Sequence, residues 1–143
     1  MNYLIKIILG VISLFVFSCV SPPDYSDGLL ENIPAIVDDN DYFSFSLFAD
    51  DYTENKEWDL TMPLTESDVL LSTLIIKDLN ISASDSSFLY MINTTGDTVL
   101  AIGIMNEVVW NSIDSVTVIG VPQKILFIGD NLSGRVEYQI LKR

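Results

Sequence analysis

The sequence predicts an all-β fold: a single antiparallel β-sandwich or jelly roll of about eight short strands, preceded by a signal peptide and a disordered tether. Three observations carry that expectation. From Tyr42 onward, apolar and polar residues alternate with a period of two through most of the chain. Glycine, proline, asparagine and aspartate punctuate these runs at near-regular spacing. No segment sustains a long amphipathic helical pattern. Many short strands separated by turn signals are the pattern of a sandwich.

The first 18 residues read as a signal peptide. Lys6 precedes an apolar run from Ile7 to Phe17. A run of about a dozen residues is too short for a comfortable membrane span, which takes roughly twenty, and suits a secretory signal. Val16-Phe17-Ser18-Cys19 resembles the lipobox of bacterial lipoproteins, although Phe17 is bulky where that family usually has a small residue. The resemblance implies that Cys19 becomes the N-terminus and carries a diacylglycerol on its sulfur. It also implies a place in the bacterial cell envelope, held to the membrane by lipid and facing the periplasm or the surface. Cys19 is the only cysteine of the 143 residues. A free thiol in an exported protein is an oxidation liability, and acylation gives it a use. Two or more acyl chains anchor stably where one does not.

Residues 19–41 read as a lipidated, acidic, flexible tether. Ser21-Pro22-Pro23-Asp24 and Ser26-Asp27-Gly28 cannot build a core. Leu29 to Val37 offers a brief ordered contact, interrupted by Pro34, and Asp38-Asp39-Asn40-Asp41 follows. Fully extended, Val20 to Asp41 reaches roughly 70 Å at about 3.3 Å per residue.

The sandwich is expected over residues 42–143. Phe43, Phe45 and Leu47 alternate with serines, marking a strand with one buried face. Asp50 to Lys56 reads as a polar turn, and Trp58, Leu60 and Met62 as a second alternating run that ends at Pro63. Val69 to Lys77 is rich in β-branched residues and reads as a strand, while Thr65, Ser67 and Asp68 offer helix-capping groups just before it. Phe88–Ile92 and Thr98–Met105 read as two strands of a hairpin around Asn93-Thr94-Thr95-Gly96-Asp97. Val108-Val109-Trp110 is a short apolar patch broken by Asn111-Ser112. Val116, Val118 and Gly120 continue an alternating run, and Pro122-Gln123 reads as a turn into Lys124–Ile128. Gly129–Gly134 is expected as a loop and Arg135–Leu141 as the last strand.

Three segments in order are similar to bacterial pre-peptidase C-terminal domains, a family of small jelly-roll-like modules. They are Asp41–Leu47, Phe88–Leu100, and Lys124–Ile128 with Gly134 and Tyr138-Gln139-Ile140-Leu141. That family's Gly-x-Tyr entry to the penultimate strand is replaced here by Pro122-Gln123-Lys124. Its acidic residues before the central strand are represented by Asp85 among serines. The resemblance implies a non-catalytic accessory or adhesive module.

Composition excludes much chemistry. The chain has no histidine, so the commonest general base and neutral metal ligand are missing. With Cys19 committed to lipid, Ser-His-Asp, Cys-His and thiolate-zinc arrangements are ruled out. No G-x-S-x-G, P-loop or G-x-G-x-x-G is present. The expectation is a non-enzymatic protein. All 20 acidic residues lie beyond the signal, and Lys6 is the one of seven basic residues within it, which leaves a net charge near −14. Such a surface repels nucleic acid and anionic lipid alike.

Two sets of residues are candidate sites. Asp38, Asp39 and Asp41 form one acidic cluster, and Asp50, Asp51 and Glu54 a second; the latter is the better candidate to hold calcium, the one cofactor this sequence suggests. Neither cluster has EF-hand spacing. Trp58 and Trp110, with Tyr52 and Tyr90, are the candidate ligand-binding aromatics, either as a sugar-binding platform or as core. Asn80-Ile81-Ser82, Asn93-Thr94-Thr95 and Asn131-Leu132-Ser133 match glycosylation sequons, which on the bacterial reading that the lipobox resemblance implies are coincidental. The function expected is therefore contact with a protein or glycan partner at a membrane, with a carbohydrate-binding module and a calcium-stabilised adhesion domain as alternatives.

Overall fold

Alternating inward and outward side chains sort the chain into two stacked antiparallel sheets in the computed structural model, which describes residues 28–143. In chain order the strands are β1 (Ala35–Asp38), β2 (Tyr42–Tyr52), β3 (Asn55–Asp59), β4 (Val69–Asn80) and β5 (Ser87–Asn93). They continue as β6 (Thr98–Ile104), β7 (Val108–Ser115), a helical turn α1 (Val116–Ile119), β8 (Pro122–Ile128) and β9 (Leu132–Lys142). One sheet has the order β1-β2-β9-β4-β7 and the other β3-β8-β5-β6. The all-β sandwich expected from the alternation is thus the fold, with nine strands among the described residues.

The core is what that alternation predicts. Phe43, Phe45 and Leu47 of β2, Val136, Tyr138 and Ile140 of β9 and Leu70 and Leu74 of β4 share the inner face of the first sheet and are fully buried, while Leu89, Ile125 and Phe127 come from the second sheet. Phe45 meets Phe127 with ring centroids 4.9 Å apart and tilted, a favourable aromatic arrangement beyond area burial alone.

Several boundaries differ from the sequence reading. β1 lies inside the stretch read as tether: Ile36 turns inward against the core, and Ala35–Asp38 pairs with Phe43–Ser46 of β2. The turn expected over Asp50–Lys56 shrinks to Thr53-Glu54, because β2 runs on to Tyr52 through a bulge at Asp51, whose φ is +50°. Asn111-Ser112 does not break β7. Thr73 on β4 donates its hydroxyl to the Asn111 side chain at 2.9 Å, so the polar residue fits the outward face of a strand that reaches Ser115. The alternating Val116–Ile119 stretch is the turn α1, not a strand. Val116 is drawn into the core with its N–H on the Asp68 carbonyl, and Gly120, at φ +77°, ends the turn. A side chain at Gly120 would also approach the Asn93 amide to 2.8 Å. Pro122-Gln123 belongs to β8, and β9 begins at Leu132 inside the stretch read as a loop. Thr65–Asp68 forms a hydrogen-bonded turn rather than a helix, with the Thr65 N–H on the Asp68 carboxylate at 2.6 Å.

Candidate functional site

The two sides of the sandwich are finished differently. On one side, β1 and β3 are edge strands of four and five residues. Lys56, Glu57 and Asp59 put charge on β3. The Asp38 carboxylate accepts the Thr61 N–H at 3.1 and 3.3 Å, fastening one sheet to the chain leaving the other. Trp58 lies against Phe45 at 4.9 Å between centroids, and Met62 is buried behind it. The seam between the sheets is closed there, although Leu30, Ile33 and the β1 residue Val37 keep apolar side chains more than half exposed.

On the other side, β6 and β7 are edges of seven and eight residues. Leu100 and Ile102 of β6 point inward but stay half-buried, because no strand among the described residues continues the sheet beyond β6. Between the two strands opens a cleft of about 420 Å³, lined by Leu74, Ile102, Val108 and Trp110 with Asn106 and Glu107 at its rim. The outward face of β7 carries Val109, 69 % exposed, and Ile113, 76 % exposed, beside their partners Ile75 and Leu71 on β4. One strand thus lines the cleft with its inner face and exposes apolar side chains on its outer face, and grouped apolar exposure marks an interaction surface more often than isolated residues do.

Trp58 and Trp110 therefore stand on opposite sides, and the structure does not bring them together as one platform. Tyr52 is buried near Phe127, 6.0 Å between centroids, and Tyr90 stacks on Phe88 at 5.7 Å. Of the four aromatics, Trp110 is the one that lines a cavity. Residue type alone pointed to it, and its neighbours Ile102, Val109 and Ile113 were missed because their exposure follows from strand order.

Asp50, Asp51 and Glu54 do not converge either. The Glu54 carboxylate is held by Lys56 at 2.5 Å, a bond that raises the Lys56 pKa. The Asp50 backbone is bracketed by the Asn32 amide at 2.7 and 2.8 Å. Asp51 faces a polar recess of about 290 Å³ shared with Asp85, Asn80, Asn131 and Ser133. Asp85 already accepts the Ser82 N–H at 2.6 Å, and the Ser133 hydroxyl takes the Asp51 N–H at 2.9 Å. Among the described residues, no three acidic, histidine or cysteine side chains are grouped to hold a metal. In the first cluster, Asp38 is committed to Thr61 and Asp39 to the N–H of Asn40 at 2.7 Å. Cys19 lies outside the described residues. No helix among them is long and apolar enough to cross a membrane.

Behind β7 the core holds one polar pair. The Tyr138 hydroxyl donates to Ser72 Oγ at 3.3 Å, and burial pushes its pKa up to about 12. Ser72 pairs across the sheet with Ser112, whose hydroxyl donates to Asp114 at 2.6 Å.

No family matches the chain, and no curated protein matches it. Among solved structures it is similar to a protein of Bacillus endospore appendages, disulfide-linked pili, at 12 % identity and a TM-score of 0.42, over 77 % of this chain and 88 % of that one. It is also similar to the VP2 subviral particle of infectious bursal disease virus, at 12 % identity and a TM-score of 0.33 over 77 % of this chain and 32 % of that one. The Gx strain of that virus gives 11 % identity and a TM-score of 0.32, with 78 % and 31 % covered.

Proposed function

We propose that this is a lipid-anchored, non-enzymatic envelope protein whose sandwich binds a protein partner through the β6–β7 side. The observation that supports the binding role is β7 itself, whose inner face lines the Trp110 cleft and whose outer face exposes Val109 and Ile113, with Asp114 its one charged residue. The anchor rests on the lipobox-like Val16–Cys19. A chain without histidine, and without metal-grouped carboxylates among the described residues, is suited to contact rather than turnover.

Two measurements test this. A palmitate analogue should label the full chain and not Cys19→Ala, which should also leave the membrane fraction; labelling that survives the substitution contradicts the anchor. Chemical cross-linking of intact cells should trap a discrete protein adduct that Trp110→Ala removes without lowering the amount of protein. An absent adduct, or one indifferent to Trp110, contradicts the binding reading. Glycan binding is a second reading of the same cleft, where Asn106 and Glu107 stand beside the indole. It predicts quenching of tryptophan fluorescence by a glycan, lost in Trp110→Ala.

A further inference from the structure

β7 combines four properties that proteins usually avoid in one edge strand. It is eight residues long, and its register with β4 is unbroken from Val69↔Ser115 to Ile76↔Val108, so no bulge twists it away. It contains neither lysine nor proline. Among the described residues it pairs with β4 alone, leaving its outer row of backbone groups without a strand. Its outward side chains at 109 and 113 are apolar and more than two-thirds exposed. Edges are normally blunted by shortness, charge, proline or a bulge. β1 and β3 use shortness, and β3 charge as well; β7 has the single inward-facing Asp114.

The charge pattern says what would pair there. From Thr98 to Gln123 the chain has no lysine or arginine, and its two charged residues, Glu107 and Asp114, stand at the two ends of β7. A second copy laid antiparallel along β7 would set these acids against their own kind, on chains whose net charge is already −13. Glu107 accepts the Leu79 N–H at 3.1 Å and Asp114 the Ser112 hydroxyl at 2.6 Å, but neither has a cation beside it in those bonds, and a strand with cations at its ends would complement both.

We infer that β7 is a strand-addition edge that takes an extended segment of a partner protein, apolar at alternate positions and bearing Lys or Arg at its ends. Main-chain hydrogen bonds along β7 supply the affinity in this mode, and alternate side chains the specificity. Side chains on the inner face of the added strand reach the cleft over Trp110 and Ile102. Those on the outer face extend the Val109–Ile75 and Ile113–Leu71 rows. The inference rests on the protein-binding reading above and specifies how that binding works.

Selection of a displayed library of random ten-residue segments on the full chain tests it. Enriched segments should alternate β-branched or aromatic residues with polar ones and carry Lys or Arg near both ends. A selected peptide should slow amide exchange over Val108–Ser115 at least tenfold and leave β1 and β3 unchanged. Methylating every second peptide nitrogen, on the edge that faces β7, should weaken it at least a hundredfold. Val109→Lys with Ile113→Lys should weaken it at least tenfold, and both sites are exposed enough for the melting temperature to hold. The inference is overturned if nothing is enriched, if the enriched ends are acidic or uncharged, if protection falls elsewhere, or if sedimentation shows a dimer seated on β7. Binding at the Trp110 cleft that survives nitrogen methylation overturns strand addition while leaving the protein-binding reading intact. Absence of any adduct from the unsubstituted protein in cells, by contrast, removes that reading itself.

Discussion

The two tryptophans sit at the two sides of one sandwich, both half-buried against the core, and the edges beside them are finished differently. Trp58 is packed on Phe45 behind a seam that Asp38 and Thr61 hold shut, with short edge strands and charge on β3. Trp110 borders an open cleft flanked by two long, nearly uncharged edges. The sheets themselves are continuous from one side to the other. What differs is how each edge is finished, and that difference separates a residue used for stability from one available for contact.

Perturbations to the two sides should therefore split. Trp58→Ala should cost about 3 kcal/mol in denaturant unfolding, as truncation of a packed aromatic does, and leave partner binding intact. Trp110→Ala should cost about 1–2 kcal/mol, because part of its surroundings is already open, yet abolish the partner adduct. Equal stability losses would erase the distinction between the two sides.

Two buried tyrosines sharpen it further. Tyr138→Phe leaves Ser72 without its partner and should cost about 1 kcal/mol near neutral pH. The folded-state pKa of Tyr138, about 12, lies above its ordinary 10.0, so the folded state favours the neutral hydroxyl. Its contribution is complete below pH 10 and is lost as the pH rises through about 12. Wild-type stability should therefore fall over that window more steeply than that of Tyr138→Phe. Tyr52, towards the β1–β3 side, has a buried hydroxyl with no hydrogen-bond partner among the described residues. Tyr52→Phe should be neutral or slightly stabilising, since nothing is left unpaired. Smallest of all, Asp50→Asn with Glu54→Gln should change stability by less than about 0.5 kcal/mol, as expected for exposed groups whose contacts are a surface ion pair and backbone bonds.

The parts legible in the sequence are those where one face of a strand is buried and the other wet. β2, β4, β5 and β9 carry that alternation in Phe43–Leu47, Leu70–Ile76, Leu89–Met91 and Val136–Ile140. Edges are harder to read, because an edge strand buries less. β1 has one inward apolar residue, Ile36, set among prolines and aspartates, and β7 carries Asn111 and Ser112 in mid-strand. α1 misleads for another reason. Val-Thr-Val-Ile has strand propensity, and the turn is imposed by the burial of Val116 and by the left-handed Gly120. As for the site, residue type singled out Trp110, but the cleft beside it exists because chain order sets β6 and β7 at matching edges of different sheets. The spread of Asp50, Asp51 and Glu54 has the same origin. Neighbours in sequence point apart once a bulge and a two-residue turn lie between them.

The claim that one side is closed and the other is a contact surface can be tested in a single scan. Photo-crosslinking residues placed one at a time through Val108–Ser115 and Asn55–Asp59, in the full chain in its native envelope, should trap a protein partner along β7 and not along β3. Adducts equally strong on both strands, or confined to β3, would contradict the account.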